Sequence, residues 1–126
     1  MTDVTGFGLA GHALEMARGA RCELRLDWSA VPLLPGARAL AGRGFVTGAS
    51  GRNWAGYARD VVLPGAFAAE DQALLCDPQT SGGLLVACAP AALDDVLAIF
   101  SRHGFGQAAV VGTMGAASAT PRLLVS

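Results

Sequence analysis

Aromatic residues are scarce in this sequence, 6% of 126 positions, and histidine and cysteine occur only two and three times. A chain that is nonetheless 52% hydrophobic, with 17 glycines, must build its core from small aliphatic side chains in close contact, which suits a single α/β or α+β domain. Its length is short for a two-domain cofactor enzyme, so any active site here is expected to be incomplete. Neither sign of charge prevails: nine basic residues stand against ten acidic ones, with no local run of either. The chain therefore offers no electrostatic footprint for a nucleic acid or an anionic membrane. No apolar run approaches the roughly 18 residues of a membrane span, and no basic-then-apolar secretory signal opens the chain, so a cytoplasmic location is expected. Cys22, Cys76 and Cys88 are odd in number and far apart, which fits neither a disulfide framework nor a C-x-x-C metal knuckle. Buried, reduced thiols are the expectation.

What is present is periodic. Leu9, Ala13, Met16 and Ala17 recur at helical spacing after Gly8, and Gly19 reads as a stop. From Arg21 to Trp28 the period becomes two, with Cys22, Leu24, Leu26 and Trp28 on one face and Arg21, Glu23, Arg25 and Asp27 on the other. A short helix is predicted over residues 34–41 and another over 68–75, while residues 45–60, rich in glycine and small polar side chains, read as a loop. Residues 84–88 form an apolar run that predicts a buried strand. Pro90, then Asp94 and Asp95, then Leu93, Val96, Leu97 and Phe100 at helical spacing predict a helix ended by Gly104. Residues 108–113 and 122–125 are the last strand candidates, joined by a turn that permits a hairpin. The expected fold is α+β, a mixed sheet with flanking helices and a C-terminal half ordered β-α-β-β.

Gly6, Gly8 and Gly11 spell G-x-G-x-x-G, the glycine pattern of a dinucleotide-binding turn, and Asp27 stands about where a ribose-binding acid would. Only five residues precede Gly6, however, so the buried strand that must deliver such a turn to a helix start is missing. Asp27, on the wet face of an alternating strand, reads as a solvated charge. Upstream of the helix, Asp3 with Thr2 and Thr5 either caps free N–H groups or supplies an oxygen ligand for Mg²⁺ on nucleotide phosphates. One carboxylate cannot make such a site by itself. In "DPQTSGG", Asp77 and Ser81 either bond local backbone in a tight loop or face a substrate or metal. His12 reads as a satisfied or half-buried histidine and His103 as a helix C-terminal cation; Ser50 and Ser81 show no legible hydrolase triad.

"TDVTGFGLAGHALEM" and "DPQTSGGLLVA", taken together with the closing "VVGTM…PRLLV", resemble the C-terminal domain of the selenophosphate synthetase (selenide, water dikinase) family, related to aminoimidazole ribonucleotide synthetase. The resemblance spans nearly the whole chain. It implies an enzyme that makes selenophosphate from selenide, ATP and water, releasing AMP and phosphate, with Mg²⁺ at the nucleotide. It further implies that Asp3 is a metal ligand completing a site built by aspartates of an N-terminal domain. Thr5, Gly6, Asp77, Thr80 and Ser81 are expected to line that site. Residues 1–126 would then be one domain of a two-domain, homodimeric enzyme, partnered by its own N-terminal ATP-binding half. The family's catalytic cysteine or selenocysteine, its nearby lysine and its ATP-covering segment have no counterpart here. No catalytic residue is therefore expected in this chain, and the chain alone is expected to be inactive. The family's "PGGT" before Arg-Asn appears as Thr47-Gly48-Ala49-Ser50-Gly51, with Arg52-Asn53 retained. The alternative implied is a stand-alone, non-catalytic binding or assembly module.

Overall fold

In the computed structural model, which describes residues 1–126, a two-residue strand, β1 (Thr2–Asp3), turns into helix α1 (Gly8–Ala20). Ala10, Ala13, Leu14 and Ala17 are wholly buried on that helix, so small side chains bring it close to the sheet. The helix runs through Gly19 and ends one residue later, because Arg21 takes the left-handed conformation (φ 53°) and its N–H reaches the carbonyls of Ala17 and Arg18. Strand β2 (Cys22–Leu26) follows with Cys22, Leu24 and Leu26 buried, as its alternation demands. Trp28 extends the buried face from a single 3₁₀ turn whose start Asp27 caps: the Asp27 carboxylate accepts the Ser29 hydroxyl at 2.6 Å and its N–H at 3.0 Å. Those bonds, the hydroxyl first, hold the Asp27 carboxyl below its ordinary value.

The remaining elements are α2 (Ala37–Gly42), α3 (Gly48–Tyr57), β3 (Val61–Val62), α4 (Ala69–Leu75), β4 (Leu84–Leu85), α5 (Leu93–Arg102), β5 (Gly112–Ala117) and β6 (Leu123–Val125). Four strands form a mixed sheet in the order β3-β6-β2-β5, with β6 parallel to both neighbours and β5 antiparallel to β2. Helix α1 packs on β2 and β6, and α3 and α4 pack on α1. Leu14, Leu26, Leu75, Cys76 and Leu123 sit fully buried between these layers. Strands β1 and β4 form a separate antiparallel pair. The fold is thus α+β with a mixed sheet, and no helix is long and apolar enough to cross a membrane.

The structure departs from the sequence pattern in several places. Residues 45–60, expected as loop, contain α3. Thr47 caps it by accepting the Ser50 N–H at 3.2 Å. Its inward face carries Ser50, Asn53, Trp54 and Tyr57, which have helical spacing but too few apolar side chains to show an apolar period. In the run 84–88 only Leu84 and Leu85 form a ladder, since their partner β1 is two residues long, and Leu84 remains half exposed. The C-terminal order β-α-β-β holds, yet β5 and β6 make no hairpin: β2 lies between them, Leu24 facing Met114 on one side and Leu123 on the other. Helix α5 has the predicted acidic first turn and His103 at its C-terminal cap, but none of its residues is buried. Val96, Ile99 and Phe100 instead line an open apolar groove of about 320 Å³ with Met1 and Phe105.

Cys22 and Cys76 are buried free thiols, whereas Cys88 is exposed because the chain has already left β4. Ellman's reagent should accordingly react quickly with one of the three thiols in native protein and with the other two only after denaturant is added. Cys88→Ser should abolish the fast phase; its persistence would place a different thiol at the surface.

Candidate functional site

The start of the chain and the "DPQTSGG" loop are joined through their main chains. Gln79 N–H donates to Thr5 O at 3.0 Å, Val4 N–H donates to Gly83 O at 2.9 Å, and Asp3 pairs with Leu84 in the β1–β4 ladder. Gly82 makes this possible, because a Cβ there would run into the Val4 carbonyl and the Gln79 side chain. Thr5, Asp3, Thr80 and Ser81 therefore belong to two segments lying side by side, and all four are exposed.

Helix α3 locks this junction from behind. Asn53 Nδ2 donates to Gly6 O at 2.8 Å and to Cys76 O at 3.0 Å, and the Tyr57 hydroxyl donates to Phe7 O at 2.9 Å. Burial, reinforced by the adjoining Cys76 thiol, pushes the Tyr57 phenol far above its ordinary value, and burial likewise pushes the Cys76 thiol up. Both groups stay protonated near neutral pH, and Cys76 has none of the thiolate character of a nucleophile. Two glycines of the G-x-G-x-x-G string, Gly8 and Gly11, serve packing here, while Gly6 has open space about it. Gly8 is left-handed (φ +70°) and lies against the Cys76 backbone, where a Cβ would stand 2.6 Å from the carbonyl carbon, and Gly11 faces the Tyr57 ring. The strand before them belongs to an antiparallel pair, so no dinucleotide-binding β-α-β unit exists.

The two motif aspartates differ in what they hold. Asp77 Oδ1 accepts the Ser50 hydroxyl at 3.0 Å and the Thr47 hydroxyl at 3.4 Å, which sets its charge at the positive end of α3. It bonds across to a helix, and apart from Gln79 Nε2 at 3.1 Å on its carbonyl and 3.4 Å on Oδ2, not within its own loop. Ser50 is engaged by Thr47 and by this carboxylate, and neither Ser50 nor Ser81 has a histidine among its hydrogen-bond partners. Asp3 is exposed; its carbonyl accepts the Thr2 hydroxyl at 3.2 Å, and its carboxylate accepts no hydrogen bond from a protein group. It does not cap α1, whose N-cap residue is Phe7 with no side-chain bond. No three His, Cys, Asp or Glu side chains gather anywhere as a metal cluster. An exposed, uncommitted carboxylate fits one position of a Mg²⁺ shell; waters, phosphates or further carboxylates must fill the others.

His12 is buried, as expected of a satisfied core histidine, with Nε2 3.1 Å from Thr5 Oγ1 and Nδ1 3.4 Å from Glu15. Asn53 and Tyr57 escaped the sequence reading. The Arg52-Asn53 pair was visible in the sequence, but residue type alone does not say that a carboxamide will bridge two main-chain carbonyls.

The family model for the C-terminal domain of AIR synthase related proteins matches residues 1–120. Among curated relatives, the selenide, water dikinase of Burkholderia pseudomallei is 60% identical over 90% of this chain, and that of Pseudomonas straminea 52% identical over 99%. The selenide, water dikinase of Rhizobium meliloti is 51% identical over 98%. The matched stretch is 32%, 34% and 36% of these relatives, so the chain spans about a third of their length.

Removing the Asn53 carboxamide leaves the Gly6 and Cys76 carbonyls without their donor. Asn53→Ala should therefore lower unfolding free energy by about 1–3 kcal/mol in a urea titration, while Arg52→Ala, at an exposed neighbour, should stay within about 0.5 kcal/mol. Equal effects would remove Asn53 from its place as the junction's tie.

Proposed function

We propose, from the premise that this chain belongs to the family of AIR synthase related C-terminal domains, that it serves as the C-terminal domain of an ATP-dependent selenophosphate synthetase. In that role Asp3 supplies one oxygen ligand to Mg²⁺ at the nucleotide phosphates. The observation that carries this reading is the contrast at the junction: Asp77 is committed to α3, while Asp3 stands exposed with its carboxylate unused. A fold that holds an acid in place without using it for its own stability has an acid to offer a ligand.

The bound cation would neutralise phosphate charge during phosphoryl transfer. The chain's own contribution is placement. The paired segments fix the backbone at Asp3, Thr80 and Ser81 are exposed on the neighbouring segment, the Thr5 hydroxyl is held by His12, and Gly6 leaves open space around its Cα. Asp77 acts indirectly, by tying the loop to α3. The nucleophile and the remaining carboxylates come from an N-terminal ATP-binding domain, which with ATP and selenide makes up the partners of this reading; the full enzyme is a cytoplasmic homodimer. Names of relatives support the substrate assignment, and the geometry of Asp3 supports the metal role.

Phosphoryl transfer needs several groups acting together, so the 126-residue chain incubated with Mg²⁺, ATP and selenide should form no AMP above a buffer control. Selenide-dependent AMP from this chain alone would overturn its role as a non-catalytic part. In the two-domain enzyme, Asp3→Asn should lower selenophosphate synthesis roughly 100-fold or more with an unchanged melting temperature, because it removes a metal ligand from an exposed site that stabilises nothing. Near-normal synthesis at saturating Mg²⁺ would falsify the ligand role.

A further inference from the structure

His12 is 6% exposed, rooted in the first turns of α1, and absent from the reading above. A buried imidazole is costly unless its nitrogens find partners. Its partners here are not core groups. Nε2 lies 3.1 Å from Thr5 Oγ1, and Nδ1 is turned toward Thr2 Oγ1 at 3.5 Å and the Glu15 carboxylate at 3.4 Å. Thr2 Oγ1 already gives its hydrogen to the Asp3 carbonyl at 3.2 Å, so at Nδ1 it accepts and Nδ1 carries the ring hydrogen; in the neutral ring Nε2 then accepts the Thr5 hydroxyl. Thr5, its hydrogen spent on the ring, is left with an oxygen that can only accept, the character that suits a cation.

Thr2 and Thr5 flank Asp3, one residue before it and two residues after it. One ring fixed in a helix thus reaches both sides of a carboxylate that no protein group engages. Main-chain bonds tie that segment to β4 and its loop, through the two-residue ladder, Val4 N–H on Gly83 O and Gln79 N–H on Thr5 O; the ring of His12 ties it to α1. We propose that His12 is a positioning residue for Asp3, holding the Thr2–Thr5 segment against α1 so that the carboxylate stands where a divalent cation can take it. This rests on the reading of Asp3 as a Mg²⁺ ligand.

The test compares His12→Leu, which removes both ring nitrogens, with His12→Gln, whose amide restores a donor and an acceptor. In the 126-residue chain, hydrogen exchange at the Val4 amide, which is bonded to Gly83 O, should quicken about tenfold or more in the Leu variant, with β2 amides unchanged and Gln close to wild type. In the two-domain enzyme, the Mg²⁺ concentration for half-maximal rate should rise about 10- to 100-fold in the Leu variant, kcat at saturating Mg²⁺ should change little, and Gln should recover most of the shift. A purely structural histidine would instead quicken exchange throughout the core and lower kcat without moving the Mg²⁺ dependence, and that result overturns the proposal. If Asp3→Asn abolishes activity while His12→Leu moves neither measurement, the positioning role fails and the ligand reading survives. If Asp3→Asn is harmless, the ligand reading fails, and local quickening at Val4 alone then decides whether His12 holds the segment: its presence supports the clamp and its absence overturns it.

Discussion

The Asn53 carboxamide gives both hydrogens of its amide to main-chain carbonyls, one in the glycine turn before α1 and one just past the end of α4. Those carbonyls lie seventy residues apart in sequence, at Gly6 and Cys76, and no ladder connects them. A carbonyl left without a donor in a partly buried place carries a desolvation penalty of about 1–3 kcal/mol. The other contacts at the junction gather around this tie: Gly8 against the Cys76 backbone, Tyr57 on Phe7, and Gln79 on Thr5. A planar group with two donors suits this place because it can satisfy two acceptors at once without bringing in a charge.

Charge is divided accordingly. Two acids lie in neighbouring segments, and the positive end of α3 takes one of them, with the Thr47 and Ser50 hydroxyls completing its shell. The other has no helix end to serve, since α1 starts with an uncapped Phe7. Had Asp3 capped α1, its carboxylate would face inward and be spent. The left-handed Gly8 lets the chain start its helix without that help.

Much of the frame was legible because apolar burial leaves a period. Leu24 and Leu26 alternate with charges, and α4 and α5 carry their apolar and acidic residues where helices want them. Helix α3 was illegible for the opposite reason: its inner face works by hydrogen bonding, so Ser50 and Asn53 looked like loop residues. The position of β2 between β5 and β6 is a long-range choice that no local signal encodes. At the proposed site, the motif singles out Asp3 and Asp77 alike; that Asp77 is committed to α3 and Asp3 is not emerges only once α3 is in place. Cys88 looked buried because its run was apolar; an apolar run states what could be buried and leaves open whether a partner strand is long enough to bury it.

Strand β6 is an inner strand, parallel to β2 on one side and to β3 on the other, and it consists of residues 123–125. Within this stretch α1 and β2 are made early, yet the strand that joins β2 to β3 lies about a hundred residues further along the chain. The sheet is therefore completed from its middle, late, by a loop closure spanning most of the domain, the kind of contact that slows folding. Until then Leu24, Leu26 and Val61 lie open along unpaired strand edges, the kind of surface through which partly folded chains aggregate.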